Sequence, residues 1–127
     1  MSAAKTVVIG RALSGLAIVF LTFDTVIKLT QLPMVGETLS ALGYAPDLGL
    51  TIGIVELVCV VLYAVPRTAV LGAILLTALF GGGIATHIRV GSPLFSHILF
   101  GVYLGLFVWG GLYLRSARLR ELLRVSV

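Results

Sequence analysis

"LGAILLTALFGGGIA", residues 71 to 85, holds one hydroxyl, Thr77, and no charge among its apolar and small side chains. A helix on the surface of a soluble domain keeps a polar stripe at 3.6-residue spacing, and this stretch has none. Hydrocarbon is the solvent it suits. The rest of the chain agrees: of 127 residues 59% are hydrophobic and 11% charged, and the mean hydropathy is +1.15. Four apolar runs, 7–31, 48–65, 69–88 and 95–114, each approach the ~20 residues that cross a hydrocarbon core. The expectation is a single all-α transmembrane domain over 1–127, a four-helix bundle in up-down order. The first run follows Lys5 and Arg11 as a signal peptide would, but its apolar character continues past Thr25 without a small-residue cleavage pattern, so it is read as a retained helix.

The charges orient this arrangement. Lys5, Arg11, Arg67, Arg115, Arg118, Arg120 and Arg124 fall on one side of four alternating spans, and Glu37 and Asp47 on the other. The positive-inside rule then puts both termini in the cytoplasm, with the basic tail as a topology signal and a contact for anionic lipid. A bacterial cytoplasmic membrane is the expected location. Nucleic acid is not an expected partner, because no aromatics interleave with the basic residues for base stacking. The single cysteine, Cys59, excludes an intrachain disulfide or a CxxC pair and reads as a small packing residue.

Connections and glycines add detail. "LPMVGETLSALGYAPD", residues 32–47, is too long for a tight turn and predicts a short interfacial segment followed by a turn at "GYAP". Pro66 ends the second helix. Gly49 with Gly53, and Gly101 with Gly105, are spaced four apart as close-packing positions. Gly81, Gly82 and Gly83 form a smooth patch, either for packing or to make room for a ligand beside Thr86 and His87.

Ionisable residues inside a span cost about 2.5 to 3.5 kcal/mol on insertion scales, which makes them functional candidates unless a structural partner explains them. Asp24 and Lys28 share one face of the first helix, Glu56 sits near the middle of the second run, His87 closes the third, and Arg89 and His97 stand at the outer boundary. All belong to the outer half of the expected bundle. The candidate acid–base residues are Asp24, Glu56 and His87; the candidate ligand-binding residues are Lys28, Gly82, Gly83, Thr86, Arg89 and His97. No metal site is expected, since "ATHIR" lacks the ExxH spacing of helical metal centres. No cofactor is evident; haem is disfavoured by histidines at the membrane edge and by the lack of CxxCH.

The stretches "LGYAP" (42–46), "GIVELVCVVLYAVPRTAVLGAILLTALFGGGIATHIRVGSPLFSH" (53–97) and "WGGLYLR" (109–115) resemble the DoxX-like family of small four-helix membrane proteins. The specific part is Glu56, Pro66-Arg67-Thr68, Gly72-Ala73, Leu75-Leu76, Gly81-Gly82, Thr86-His87 and Arg89. The resemblance implies that Glu56, His87 and Arg89 matter, and it brings in quinone chemistry, because the family takes its name from a membrane subunit linked to thiosulfate:quinone oxidoreductase.

Three functions are then open. One is a membrane binding or accessory subunit whose outer-half polar pocket holds a small amphipathic molecule, with quinone as a candidate ligand and a redox protein or a second copy of the chain as a candidate partner. Another is a cofactor-independent enzyme, of isomerase or epoxide hydrolase type, using Asp24 and Glu56 as acid and base on a lipophilic substrate with His87 as proton relay. The third is a structural scaffold whose polar residues fix helix register.

Overall fold

The computed structural model describes residues 2–125, and every regular element among them is helical. α1 (Ala3–Leu29) is followed by a short α2 (Pro33–Ala41), then α3 (Leu48–Ala64), α4 (Ala69–Val90), α5 (Phe100–Arg115) and a C-terminal α6 (Ala117–Val125). A 3₁₀ turn, Pro66–Thr68, links α3 to α4, and a π-helical turn, Leu94–Ile98, precedes α5.

Three helical segments, Ala3–Leu29, Pro66–Val90 and Leu94–Arg115, are long and apolar enough to cross a membrane. α3 is equally apolar but has 17 residues, about 25 Å at 1.5 Å per residue. Its shortness has a local cause. Val65 is extended, as a residue before proline prefers, and Pro66 cannot continue the hydrogen-bond ladder.

α1 packs against α3 and α5, and α4 packs against the same two helices. Neighbours run antiparallel, and glycine lets their backbones touch. A Cβ on Gly10 would lie 2.6 Å from the Arg115 nitrogen and 2.8 Å from the Gly111 carbonyl oxygen, so α1 and α5 cross there with no side chain between them. Gly72 abuts the backbone of Tyr63 in the same way, closing the α3–α4 corner. The start of α1, the 65–68 turn and the end of α5 therefore share one end of the molecule, here the terminal end. The other, the loop end, carries residues 30–47 and 91–99.

A continuous apolar core runs between the helices through Ala17, Leu21, Cys59, Val60, Tyr63, Ala73, Leu76, Phe80, Val108 and Leu112. Many large apolar side chains point the other way. Val19, Phe23, Val58, Val61, Leu71, Ile74 and Leu106 are exposed, which in water would be a far larger apolar surface than a monomer tolerates. Facing lipid, they need no partner.

Where "LPMVGETLSALGYAPD" predicts a short segment followed by a turn, the connection 30–47 holds the helix α2. Gln31 takes a left-handed backbone (φ 54°) that stops α1, Pro33 starts α2 at a position where its missing N–H is harmless, and Gly43 (φ 86°) turns the chain back toward α3. α4 ends in a Schellman arrangement: Gly91 has φ 71°, its N–H donates to the Ile88 carbonyl, and the Ser92 N–H reaches back to that of His87.

Candidate functional site

Apart from a Trp109–Thr77 hydrogen bond between α5 and α4 (2.6 Å), the polar side chains that link the four long helices fall into three groups. The first lies between α1 and α3 toward the loop end. Lys28 Nζ donates to Asp24 Oδ2 at 2.6 Å, one helical turn back, and to Glu56 Oε1 at 2.8 Å across the interface. The other oxygen of Glu56 accepts from the Thr25 hydroxyl at 2.8 Å. Gly53, one turn before Glu56, admits the approach, because a Cβ there would meet Lys28 Cβ at 3.0 Å. One ammonium thus serves two carboxylates.

Burial divides the group. The Glu56 side chain is 2% exposed and both its oxygens are bonded, whereas Asp24 keeps 37% of its side-chain surface and Lys28 25%. The deep carboxylate is closed in, and the shallow one opens to the α1 surface. A charge in this setting is tolerated only while its partners remain, since taking an unpaired carboxylate out of water is costly.

The second group caps the loop end. Thr86 is buried; its hydroxyl donates to the Gly82 carbonyl at 2.8 Å and accepts from the Tyr44 hydroxyl at 2.7 Å. Arg89 donates to the Leu42 carbonyl, strapping the turn after α2 to the end of α4. His87 Nδ1 shares a 2.8 Å hydrogen bond with Ser92, and His97 Nδ1 a 2.7 Å one with Ser96, with the two imidazoles edge to face at 5.5 Å between centroids. Among the described residues, no hydrogen bond or ion pair joins this group to Glu56, and no set of three or more His, Cys, Asp or Glu side chains converges as metal ligands. Gly82 and Gly83 lie on the exposed surface of α4 with open space where a Cβ would stand.

The third group went unread in the sequence. Toward the terminal end, Arg115 Nε donates to Ser14 Oγ (3.0 Å), Ser14 to the Tyr63 hydroxyl (2.8 Å), and Tyr63 to the Val108 carbonyl (2.7 Å). The guanidinium also sits over the Tyr63 ring, 5.3 Å from its centroid, as cation–π contacts do. Arg115 therefore turns inward to tie α1, α3 and α5 together, in addition to counting as a basic residue after the last span. Ser14 and Thr25, lone hydroxyls on the core side of an apolar helix, were the available signal for these two networks.

A long apolar helical set whose few intrahelical charges pair with one another between helices is the constitution of an integral membrane protein. The chain matches the profile of the DoxX-like family over residues 12–111 and belongs to that family. The match takes in α1 from residue 12 on, and so Asp24 and Lys28, as well as the stretches from 42 to 111 that carry the resemblance. Neither the comparison with curated proteins nor that with solved structures yields a match.

Proposed function

We propose that this DoxX-like protein crosses a bacterial cytoplasmic membrane four times, with the terminal end cytoplasmic, and that its outer half binds the polar head of a small amphipathic molecule at the open edge of the Asp24–Lys28–Glu56 cluster. The carrying observation is the unequal burial of the two carboxylates around one cation. Glu56, itself held by the Thr25 hydroxyl, holds Lys28 in place from within. Asp24 keeps an oxygen for which no hydrogen bond is formed, on a surface where hydrocarbon offers none. A ligand hydroxyl or amide meeting that oxygen, with its apolar tail along α1 and α3, removes the penalty.

Four spans fit because α3, though short, packs between α1 and α4 and exposes mainly apolar side chains, among them Ile54, Val55, Leu57, Val58 and Val61, with Thr51 the one polar exception. Local thinning of the bilayer accommodates a short span at a modest cost. The cytoplasmic assignment follows the basic residues, seven of which belong to the terminal end.

The family resemblance makes quinones the first ligand class to assay and a quinone-linked oxidoreductase the first partner to seek. The test is purification in mild detergent, an ultraviolet–visible spectrum, and mass spectrometry of the lipophilic extract. A stoichiometric amphiphile in the native protein that is depleted in Asp24→Asn supports the binding role. An extract indistinguishable from bulk lipid in both proteins overturns it.

One feature favours acid–base catalysis as a second function: Asp24 and Glu56 converge on a common proton-bearing group, Lys28 Nζ. Turnover of a lipophilic epoxide or alkene that is lost in Glu56→Gln, while thermal stability is retained, would establish it.

A further inference from the structure

The terminal end carries a second surface that the ion cluster does not use. α6 begins one residue after α5, where Ser116 is extended, and the Ser116 hydroxyl accepts from the Leu119 N–H at 3.2 Å to cap the new helix. At about 100° per residue, Leu119, Leu122 and Leu123 fall within one arc about 100° wide. Arg118 and Arg120 stand at the two borders of that arc, and Glu121 and Arg124 lie on the opposite face. Leu119 is buried against the core, whereas Leu122 and Leu123 are exposed. Beneath them a groove of about 420 Å³ separates α5 from α6, lined by Trp109, Tyr113, Leu119 and Leu123.

Arg120, at one border, donates to the Tyr113 and Leu114 carbonyls at 2.6 and 2.7 Å and pins α6 to the end of α5. Exposed Arg118 at the other border and polar Glu121 and Arg124 on the far face suit a helix lying flat at a membrane surface, with leucines among acyl chains and Arg118 level with phosphates. The surroundings share the sign. Lys5, Arg11, Arg67, Arg118 and Arg124 are exposed, all at the terminal end, where Glu121 is the one acidic residue among those described. A second α6 would bring the same positive charges together, and no aromatic row offers stacking for nucleic acid. Charge complementarity selects an anionic lipid surface.

We propose that α6 is an interfacial helix that inserts Leu122 and Leu123 into the acyl layer and binds anionic phospholipid head groups through Arg118 at the border of that arc, with Lys5, Arg11 and Arg67 extending the same basic rim. This rests on the chain being a membrane protein with its terminal end at one bilayer surface.

The test uses the full-length chain in a Cys59→Ala background, reconstituted in nanodiscs of phosphatidylcholine alone or with one third phosphatidylglycerol, each also made with brominated acyl chains. A fluorophore is placed at Leu122→Cys or, as a bilayer control, at Leu71→Cys on α4. The expected result is quenching at Leu71 in both compositions, and quenching at Leu122 at least about twofold stronger with the anionic lipid, falling back in high salt and in Arg118→Gln/Arg67→Gln. Quenching at Leu71 with none at Leu122, or with no dependence on lipid charge, overturns the interfacial role while leaving the membrane assignment intact. An unquenched Leu71 probe overturns both.

Discussion

Two polar networks join α1 to α3, one near each end, and they are built on opposite arithmetic. Toward the terminal end, one cation, Arg115, meets only neutral partners, Ser14 Oγ and the Tyr63 carbonyl and ring, and the donor chain runs to completion at the Val108 carbonyl. Toward the loop end, one cation, Lys28, meets two carboxylates, and the shallower of them is left partly open. A complete network that ends on a backbone carbonyl is a joint. A network with a surplus of acceptors, one of them partly exposed, is the one to which the proposed ligand is assigned.

The largest effect expected from breaking this contrast is at Lys28. Lys28→Met leaves Glu56 buried without its cation and should destabilise the protein by about 3–5 kcal/mol, read as thermal unfolding in detergent. Adding Glu56→Gln, which keeps an acceptor for Thr25, should recover much of that loss. If the double variant is no better than the single, the cost lies in packing and not in an orphaned charge.

Next in size is the α1–α5 crossing that holds the terminal network together. Gly10→Ala forces backbone atoms of Arg115 and Gly111 to move and should cost about 1–3 kcal/mol in the same measurement. Tyr63→Phe removes one donor and one acceptor from the joint and should cost about 1–2 kcal/mol. Gly82→Ala meets no atom and should stay within about 0.5 kcal/mol of the native protein. A large loss at Gly82 would mean that the open face of α4 is covered by something, a second copy or a ligand, that needs a bare backbone.

These pairs also show what could be read from the chain. Hydropathy alone marks the long helices, because a segment such as 71–85 has only one solvent it can face, and Pro66, Pro33 and Gly91 punctuate the helices through their own backbone restrictions. The i, i+4 spacing of Asp24 and Lys28 likewise foretells their contact. Partners across helices are another matter. That Lys28 reaches Glu56, while His87 turns to Ser92 and His97, depends on which faces meet, and small rotations of an apolar helix leave its hydropathy pattern unchanged. Arg115 illustrates the same limit: as a charge it marks a boundary, but its inward turn depends on Gly10 and Gly111 bringing Ser14 within reach. Glycine spacing is equally silent about its use, since Gly101 meets Ile84 and Phe80 on α4 whereas Gly105, one turn on, meets nothing.

The most direct test of the contrast is to purify native protein, Asp24→Asn and Tyr63→Phe side by side in one mild detergent and quantify the extracted amphiphile per chain by mass spectrometry. The predicted result is a bound molecule retained in Tyr63→Phe despite its lower unfolding temperature, and lost in Asp24→Asn with stability changed by less than about 1 kcal/mol. Equal retention in Asp24→Asn, or loss in proportion to stability in both variants, would contradict the assignment of the loop-end cluster as the binding site.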